Sequence, residues 1–198
     1  MAMKNKKKIR IILAVLILLV AAVSVAAYMY MRAEKTNKLM PAEVACQVVD
    51  AIDGTGEYTT GVHAGSKKTS IQVENTGNIA AYVRVQLIPY WVDADGNRIA
   101  KTAPTLTLSY DSDNWIEGSE NTFYYKQPVG AGNETEYNLL NAPISMQQST
   151  YKAPGASSNI VIYEMIDVVA DAIQSKPAKA VTEAWGVEIN NGEIFTVR

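Results

Sequence analysis

Short stretches in which apolar and polar residues alternate recur along most of this 198-residue chain, with turn-forming residues between them. Residues 67–74 are typical, since Thr69, Ile71 and Val73 alternate with Lys68 and other polar residues. The alternation predicts a half-buried strand with the apolar set toward the core and Lys68 toward solvent. Many short strands separated by turn signals predict an all-β fold, a β-sandwich or jelly roll, in a single domain over residues 41–198.

The polar sequence Asn75-Thr76-Gly77-Asn78 separates that strand from a second alternating stretch that begins near Tyr82. Gly and Asn tolerate positive φ and favour short hairpin loops, so the sequence predicts a hairpin here. Pro89 interrupts the second stretch and has no N–H for a strand ladder. We expect the strand to be bulged at Pro89 or to lie at an edge there.

Further elements follow from the same signals. Residues 160–174 are long enough for a helix, but β-branched residues dominate and favour a strand. Residues 177–186 predict a short helix over about 178–185, with Pro177 near its first position and Gly186 past its end. Loops are expected at 53–66 and 147–159, and further strands at 43–52, 103–110, 115–129 (two strands), 135–146 and 193–198, the last closing the sheet.

The first residues have the form of an export signal. A cluster of lysines and Arg10 precedes residues 11–31, which carry no charge. This run is long enough to span a bilayer, and its positive end should stay in the cytoplasm. Ser24-Val25-Ala26 predicts cleavage before Ala27, with residues 1–26 as signal peptide; Ala22-Val23-Ser24 is a weaker site, and an uncleaved membrane anchor is the alternative. Residues 27–40 are then a tether before the domain.

The residues after Ala26 carry 13 basic and 20 acidic side chains, a net charge of −7. This acidic balance, with no basic patch, excludes a typical nucleic-acid-binding protein. Cys46 is the single cysteine and therefore cannot form a disulfide within the chain. Its apolar surroundings predict a buried, inert thiol, and an intermolecular disulfide is the alternative.

The chain lacks recognisable catalytic motifs. Its one histidine, His63, lies in a Gly-rich stretch, and neither G-x-S-x-G nor H-E-x-x-H occurs. One His and one Cys do not make a typical zinc site. We expect no enzymatic activity, no cofactor and no metal; the acidic stretches at 93–97 and 111–114 predict turns, with weak surface calcium as the alternative.

Aromatic residues concentrate in the middle of the chain. Such side chains can form a face that binds sugar or protein. The candidates for that face are Tyr90, Trp91, Trp115 and Tyr124, although alternation also predicts that part of the set lies in the core.

The stretch from Asn75 to Arg84, with the N-T-G-N sequence followed by Tyr82 and Arg84, resembles exported Gram-positive bacterial proteins related to the TasA/camelysin family. The resemblance covers most of residues 41–190, and the Lys-rich signal is similar to those processed by that family's dedicated signal peptidase. It implies a secreted or cell-surface jelly-roll subunit that self-associates, or joins related subunits, into biofilm-matrix fibres. In such fibres the mature N-terminal segment completes a neighbour's sheet. A monomeric cell-surface module that binds carbohydrate or a host protein is the alternative function.

Overall fold

The computed structural model describes residues 41–52 and 66–197. Within these residues the chain from residue 42 onward forms one compact unit. It is built mainly from strands: β1 (Gln47–Ile52), β2 (Lys67–Glu74), β3 (Ala81–Val92), β4 (Arg98–Ile99), β5 (Trp115–Glu117), β6 (Thr122–Tyr125), β7 (Ile144–Ser145), β8 (Gln148–Tyr151), β9 (Ile160–Gln174), β10 (Val187–Asn190) and β11 (Glu193–Val197), with helix α1 (Ala178–Trp185) before β10.

Two sheets face each other across an apolar core, which makes the fold sandwich-like. The large sheet has the order β5-β6-β3-β9-β8, with β4 paired to β3, and the small sheet has the order β1-β2-β7. Alternate residues of β2 and β3 point into the space between the sheets, as the alternation predicts. The core contains Ile71, Val73, Val83, Val85, Leu87, Trp115, Phe123, Tyr125, Val129, Leu139, Leu140, Ile144, Met146 and Ile166.

β3 and β9 form the centre of the large sheet and pair without interruption from Ala81↔Gln174 to Val92↔Tyr163. The expected bulge at Pro89 is therefore absent. Leu87 donates its N–H to Asn121 on the other side of β3. Because N–H groups alternate in direction, the nitrogen of Pro89 faces that same side, between the stretches paired with β6 and β4. On this side, therefore, β3 has no partner strand among the described residues at the position where Pro89 lacks an N–H donor.

The hairpin expected around Asn75–Asn78 is wrong, because β2 and β3 belong to different sheets. The segment 132–145 instead runs along the free side of β2. Its middle part is irregular, and side chains replace backbone groups there: Ile71 N–H donates to Asn138 Oδ1 at 2.8 Å, and Val73 N–H donates to Thr135 Oγ1 at 3.2 Å. The strand expected over 135–146 is therefore reduced to β7.

Helix α1 and the β10–β11 hairpin pack against the outer face of the large sheet. The helix matches the expected bounds; Gly186 ends it with φ 66°, a left-handed conformation that favours glycine, and donates its N–H to Thr182 O. A second apolar cluster lies beneath it, formed by Tyr82, Tyr124, Val181, Val187 and Ile194. The final strand was expected to close the main sheet, but β11 pairs only with β10.

Three other expectations differ in detail. Residues 103–110 form no strand apart from an isolated bridge between Tyr110 and Leu140. β8 forms inside the loop expected at 147–159. The predicted signal and tether over residues 1–40, with the cleavage residues Ser24 to Ala27, and the loop containing His63 lie outside the described residues. Over the part of the chain that is described, no helix is long and apolar enough to cross a membrane.

Candidate functional site

The turn Asn75–Asn78 holds the first residues of the domain. Gly77 N–H donates to Ala45 O at 3.2 Å, and Asn78 N–H donates to Glu43 O at 3.1 Å. The side chain of Asn78 returns the contact, since Glu43 N–H donates to its Oδ1 at 2.9 Å. We call this set of contacts the N-terminal clamp. It fixes the point at which the chain enters β1.

Gly77 is required by close approach. A Cβ atom at this position would lie 2.4 Å from Glu43 O and 3.0 Å from Ala45 N. Both neighbours are backbone atoms, which cannot rotate away as a side chain can. Gly77 is not among the described residues with positive φ, so the conformational reason that the sequence suggested is wrong. The glycine is needed for space.

Asn75 ties the clamp to the loop at 129–133. It is completely buried, and its Nδ2 donates to Ile79 O at 2.8 Å and Val129 O at 2.9 Å. Its Oδ1 accepts from Gly77 N–H at 3.1 Å. Each polar atom of the buried amide is therefore satisfied, and an unpaired group here would cost free energy. Thr76 is exposed beside it.

Tyr82 and Arg84 hold the C-terminal hairpin and helix instead of contributing to the clamp. Tyr82 is buried, and its hydroxyl donates to Gly192 O at 2.7 Å in the β10–β11 turn. Burial, followed by the charge of Glu193, raises the pKa of this hydroxyl. The motif from Asn75 to Arg84 thus has two parts. The N-T-G-N turn contacts the first residues of the domain, and Tyr82 and Arg84 contact its C-terminal hairpin and helix.

The guanidinium of Arg84 lies against two adjacent aromatic rings on the outer face of the large sheet. Its Nε and Nη2 donate to Asp171 Oδ2 at 3.1 and 3.0 Å. Its Cζ is 5.0 Å from the ring centroid of Trp185 in α1 and 5.9 Å from that of Tyr124. A cation placed over aromatic faces is attracted by their electrons. Arg84 therefore connects α1 to β3 and β9.

The aromatic residues proposed as a binding face do not share one surface. Trp115 and Trp91 are 0 % and 6 % exposed and belong to the inner layer. Their indole N–H groups donate to Tyr137 O at 3.2 Å and Thr102 O at 2.9 Å. Tyr124 is also buried, at 5 %. These side chains pack the domain and leave no aromatic platform.

Tyr90 is the least buried of the four and is occupied by neighbours. Its hydroxyl donates to Asp167 Oδ1 at 2.9 Å. The guanidinium of Arg98 covers the ring, with Cζ 3.8 Å from the centroid, and also pairs with Asp167. Burial and the hydrogen bond to Asp167 raise the pKa of the hydroxyl. The face of the Tyr90 ring is thus covered by Arg98 of the same chain.

The acidic turns bind their own backbone. Asp93 Oδ1 accepts the N–H groups of Asp95 and Asn97, both at 2.9 Å. The hydrogen bond from the Asn97 side chain, followed by the backbone bonds, lowers the pKa of Asp93. Asp111 accepts from Asp113 N–H at 3.0 Å in the same way. In residues 41–52 and 66–197, no group of three or more His, Cys, Asp or Glu side chains is placed to hold a metal ion.

Three further side chains with reactive or ionisable groups are partly or fully buried: Cys46, Glu164 and Lys68. Cys46 is partly buried against the core; burial and then Asp171 raise the pKa of its thiol. Glu164 is 1 % exposed, and its carboxylate accepts the N–H of Gln147 at 3.0 Å; burial raises the pKa of this carboxyl. Lys68, expected at the surface, is 0 % exposed and contacts Asp50.

The alternating pattern of residues 67–74 wrongly predicts an exposed Lys68, because a register shift in the β1–β2 ladder changes the face on which this side chain lies. The β1–β2 ladder shifts by one residue between Ala51 and Ile52, so Thr69 is an extra residue on β2. A bulge of this kind moves the following side chains to the other face. The run of Lys67, Lys68 and two hydroxyl residues contains no apolar residue that would mark the change.

Comparisons of the chain with protein-family models, with curated proteins and with solved structures find no match.

Proposed function

We propose that this protein is an exported, non-catalytic structural subunit of a cell-surface or biofilm-matrix fibre. It assembles through its mature N-terminal segment, residues 27–40, which adds to the sheet of a neighbouring subunit. Signal peptidase releases that segment by cleavage before Ala27. The two-sheet domain is, in this proposal, a jelly roll that serves as the body of each subunit.

The N-terminal clamp is the observation that carries the proposal. The N-T-G-N turn begins the stretch from Asn75 to Arg84, which is the most specific part of the resemblance to the TasA/camelysin family. Its hydrogen bonds are directed to Glu43 and Ala45, at the junction with the segment that would exchange. A subunit joined to its neighbour through this segment needs such an attachment, because the load on the segment passes to the domain there.

The alternative function, a monomeric binding module, loses its main support. It depended on exposed aromatic side chains, and Trp91, Trp115 and Tyr124 are buried while Tyr90 is covered by Arg98. The fibre proposal does not need an exposed aromatic face.

The proposal is tested by comparing two forms of the protein, one that starts at Ala27 and one that starts at Ala42. The second form lacks the exchanging segment but keeps Glu43 and therefore the clamp. We expect filaments from the first form in negative-stain electron microscopy as concentration rises, and only monomers from the second. Circular dichroism and thermal melting should show that both forms are folded.

Filaments that form equally well from the Ala42 form would refute assembly through residues 27–40. A uniformly monomeric Ala27 form, with or without added filament seeds from the producing cells, would refute a self-assembling subunit. A variant that replaces residues 27–40 by a Gly/Ser linker of the same length is the matched control, because it keeps the length and removes the sequence.

A further inference from the structure

Lys68 and Asp50 meet on the inner face of the small sheet. Asp50 on β1 pairs with Ile71 on β2, so it shares the core-facing side of that apolar residue. Beyond the bulge at Thr69, Lys68 pairs with Ile52 on one side and Ile144 of β7 on the other. Ile52 is two residues from Asp50 and therefore lies on the same face. The bulge brings the amine to the carboxyl.

The amine of this pair is shielded from water, whereas the carboxyl is partly exposed. The Lys68 side chain is 0 % exposed and that of Asp50 is 25 % exposed. Lys68 Nζ contacts Asp50 Oδ2 directly. Removing an ion pair from water costs free energy that mutual attraction repays only partly. An arrangement that eliminates both charges is therefore favoured at this position.

Contact between an amine and a carboxyl also favours their condensation. Two groups held in reacting geometry behave as if each were present at very high local concentration. Lysine amines act as nucleophiles in proteins once they are neutral and desolvated. The fold holds Lys68 Nζ against the Asp50 carboxyl as long as β1 and β2 stay paired.

We propose that Lys68 and Asp50 form an amide cross-link between β1 and β2. Proton transfer within the pair gives the neutral amine and the neutral acid. The lone pair of Nζ attacks Cγ of Asp50, and the Nζ–Cγ bond forms as the Cγ–OH bond breaks. The hydroxyl leaves with one proton from nitrogen as water. The reaction needs neither oxidant nor reductant, and its product is an uncharged amide.

The cross-link would act on the strand that follows the N-terminal clamp. β1 is at the edge of the small sheet and has β2 as its paired strand. An amide between Asp50 and Lys68 makes that attachment covalent near the end of β1 farthest from the clamp. The inference does not depend on fibre formation, because it concerns the folded domain alone.

Mass spectrometry tests the proposal, because forming the amide removes one water molecule from the chain. The full chain is purified, and its mass after denaturation and reduction is compared with the mass calculated for its own N-terminus. We expect the chain to be lighter by one water molecule. Trypsin should yield residues 39–67 joined to residues 68–84, because Lys38, Lys67 and Arg84 are cleavage sites. Fragmentation of this branched peptide should place the bond between Asp50 and Lys68.

Lys68→Arg is the matched control, since it keeps the positive charge but has no amine. It should regain the lost water and give residues 39–67 as a separate peptide. Asp-Gly succinimides at Asp53 and Asp95 also lose water, but they would persist in this variant and would leave residues 39–67 and 68–84 as separate peptides. A wild-type chain with unmodified mass and an unlinked peptide 39–67, both when fresh and after prolonged incubation of the folded protein, overturns the proposal.

Discussion

Gly77→Ala tests the N-terminal clamp directly. The new Cβ would lie 2.4 Å from Glu43 O, and ordinary contact begins at 3.4 Å, so the two backbone segments must separate by about 1.0 Å. Separation on this scale breaks the backbone bonds from Gly77 to Ala45 and from Asn78 to Glu43. Each such bond contributes about 0.5–1.5 kcal/mol of stability.

The expected loss is therefore about 1–3 kcal/mol from the two bonds, offset by about 0.4–1 kcal/mol because alanine restricts the unfolded chain. The midpoint of this difference is a net loss of about 1.3 kcal/mol, which for a domain of this size lowers the melting temperature by about 3–5 °C. Thermal melting followed by circular dichroism measures the shift. Hydrogen exchange should show faster exchange at the amides of Glu43 and Asn78, with the core amides protected.

Gly130→Ala is the matched control. Its new Cβ would meet the Nδ2 atom of Asn133 at 2.8 Å, and the end of a side chain can rotate away. We expect a clearly smaller change in melting temperature. If Gly77→Ala melts like the wild type and keeps its amide protection at Glu43 and Asn78, the reasoning about the clamp is refuted.

Three further substitutions test other contacts. Asn75→Asp should lower the free energy of unfolding by more than about 3 kcal/mol, because a buried carboxylate would replace the amide that donates to the carbonyl of Val129. Urea unfolding measures this change. A variant with near-wild-type stability would contradict the role given to the Asn75 amide. Arg84→Lys should lower the free energy of unfolding by about 1 kcal/mol in the same assay, because lysine cannot make both contacts with Asp171. An unchanged free energy of unfolding would show that the ion pair is energetically neutral. Glu164→Gln should flatten the pH dependence of stability. Burial raises the folded pKa of Glu164, so its stabilising contribution is present below about pH 4.3, the unfolded value, and is lost as pH rises through the folded pKa. Melting temperatures across this range should favour the variant increasingly at higher pH, and parallel curves would contradict the sign.

The large sheet was mostly predictable from sequence because its signals are local. Residues 160–174 form one long strand as the β-branched residues indicate, and Pro177 and Gly186 flank the short helix. Alternation in β3 also assigns its inner residues correctly, from Val83 to Leu87. In each of these elements the side-chain pattern and the backbone preference agree.

In the small sheet the strands β1 and β2 were predicted, but their pairing and the clamp were not, since these depend on partners far along the chain. The turn at Asn75 has the composition of a hairpin, but its partners are Glu43 and Ala45 on one side and Val129 on the other. The pairing of β2 with residues near Asn138 uses side-chain oxygens, which leave no periodic pattern. A single extra residue, Thr69, reverses the exposure of Lys68.

The orientation of β1 has a mechanical consequence. β1 begins just after the clamp and is joined to β2 by six residue pairs, from Gln47↔Glu74 to Ile52↔Lys68, with the bulge at Thr69 before the last pair. Force applied to the N-terminal end along the strand axis loads this ladder in shear, so its hydrogen bonds resist together and cannot open one after another. The clamp bonds at Gly77 and Asn78 lie nearest to the point of loading and would yield first. A chain pulled from this end should therefore extend by a short step before the domain gives way.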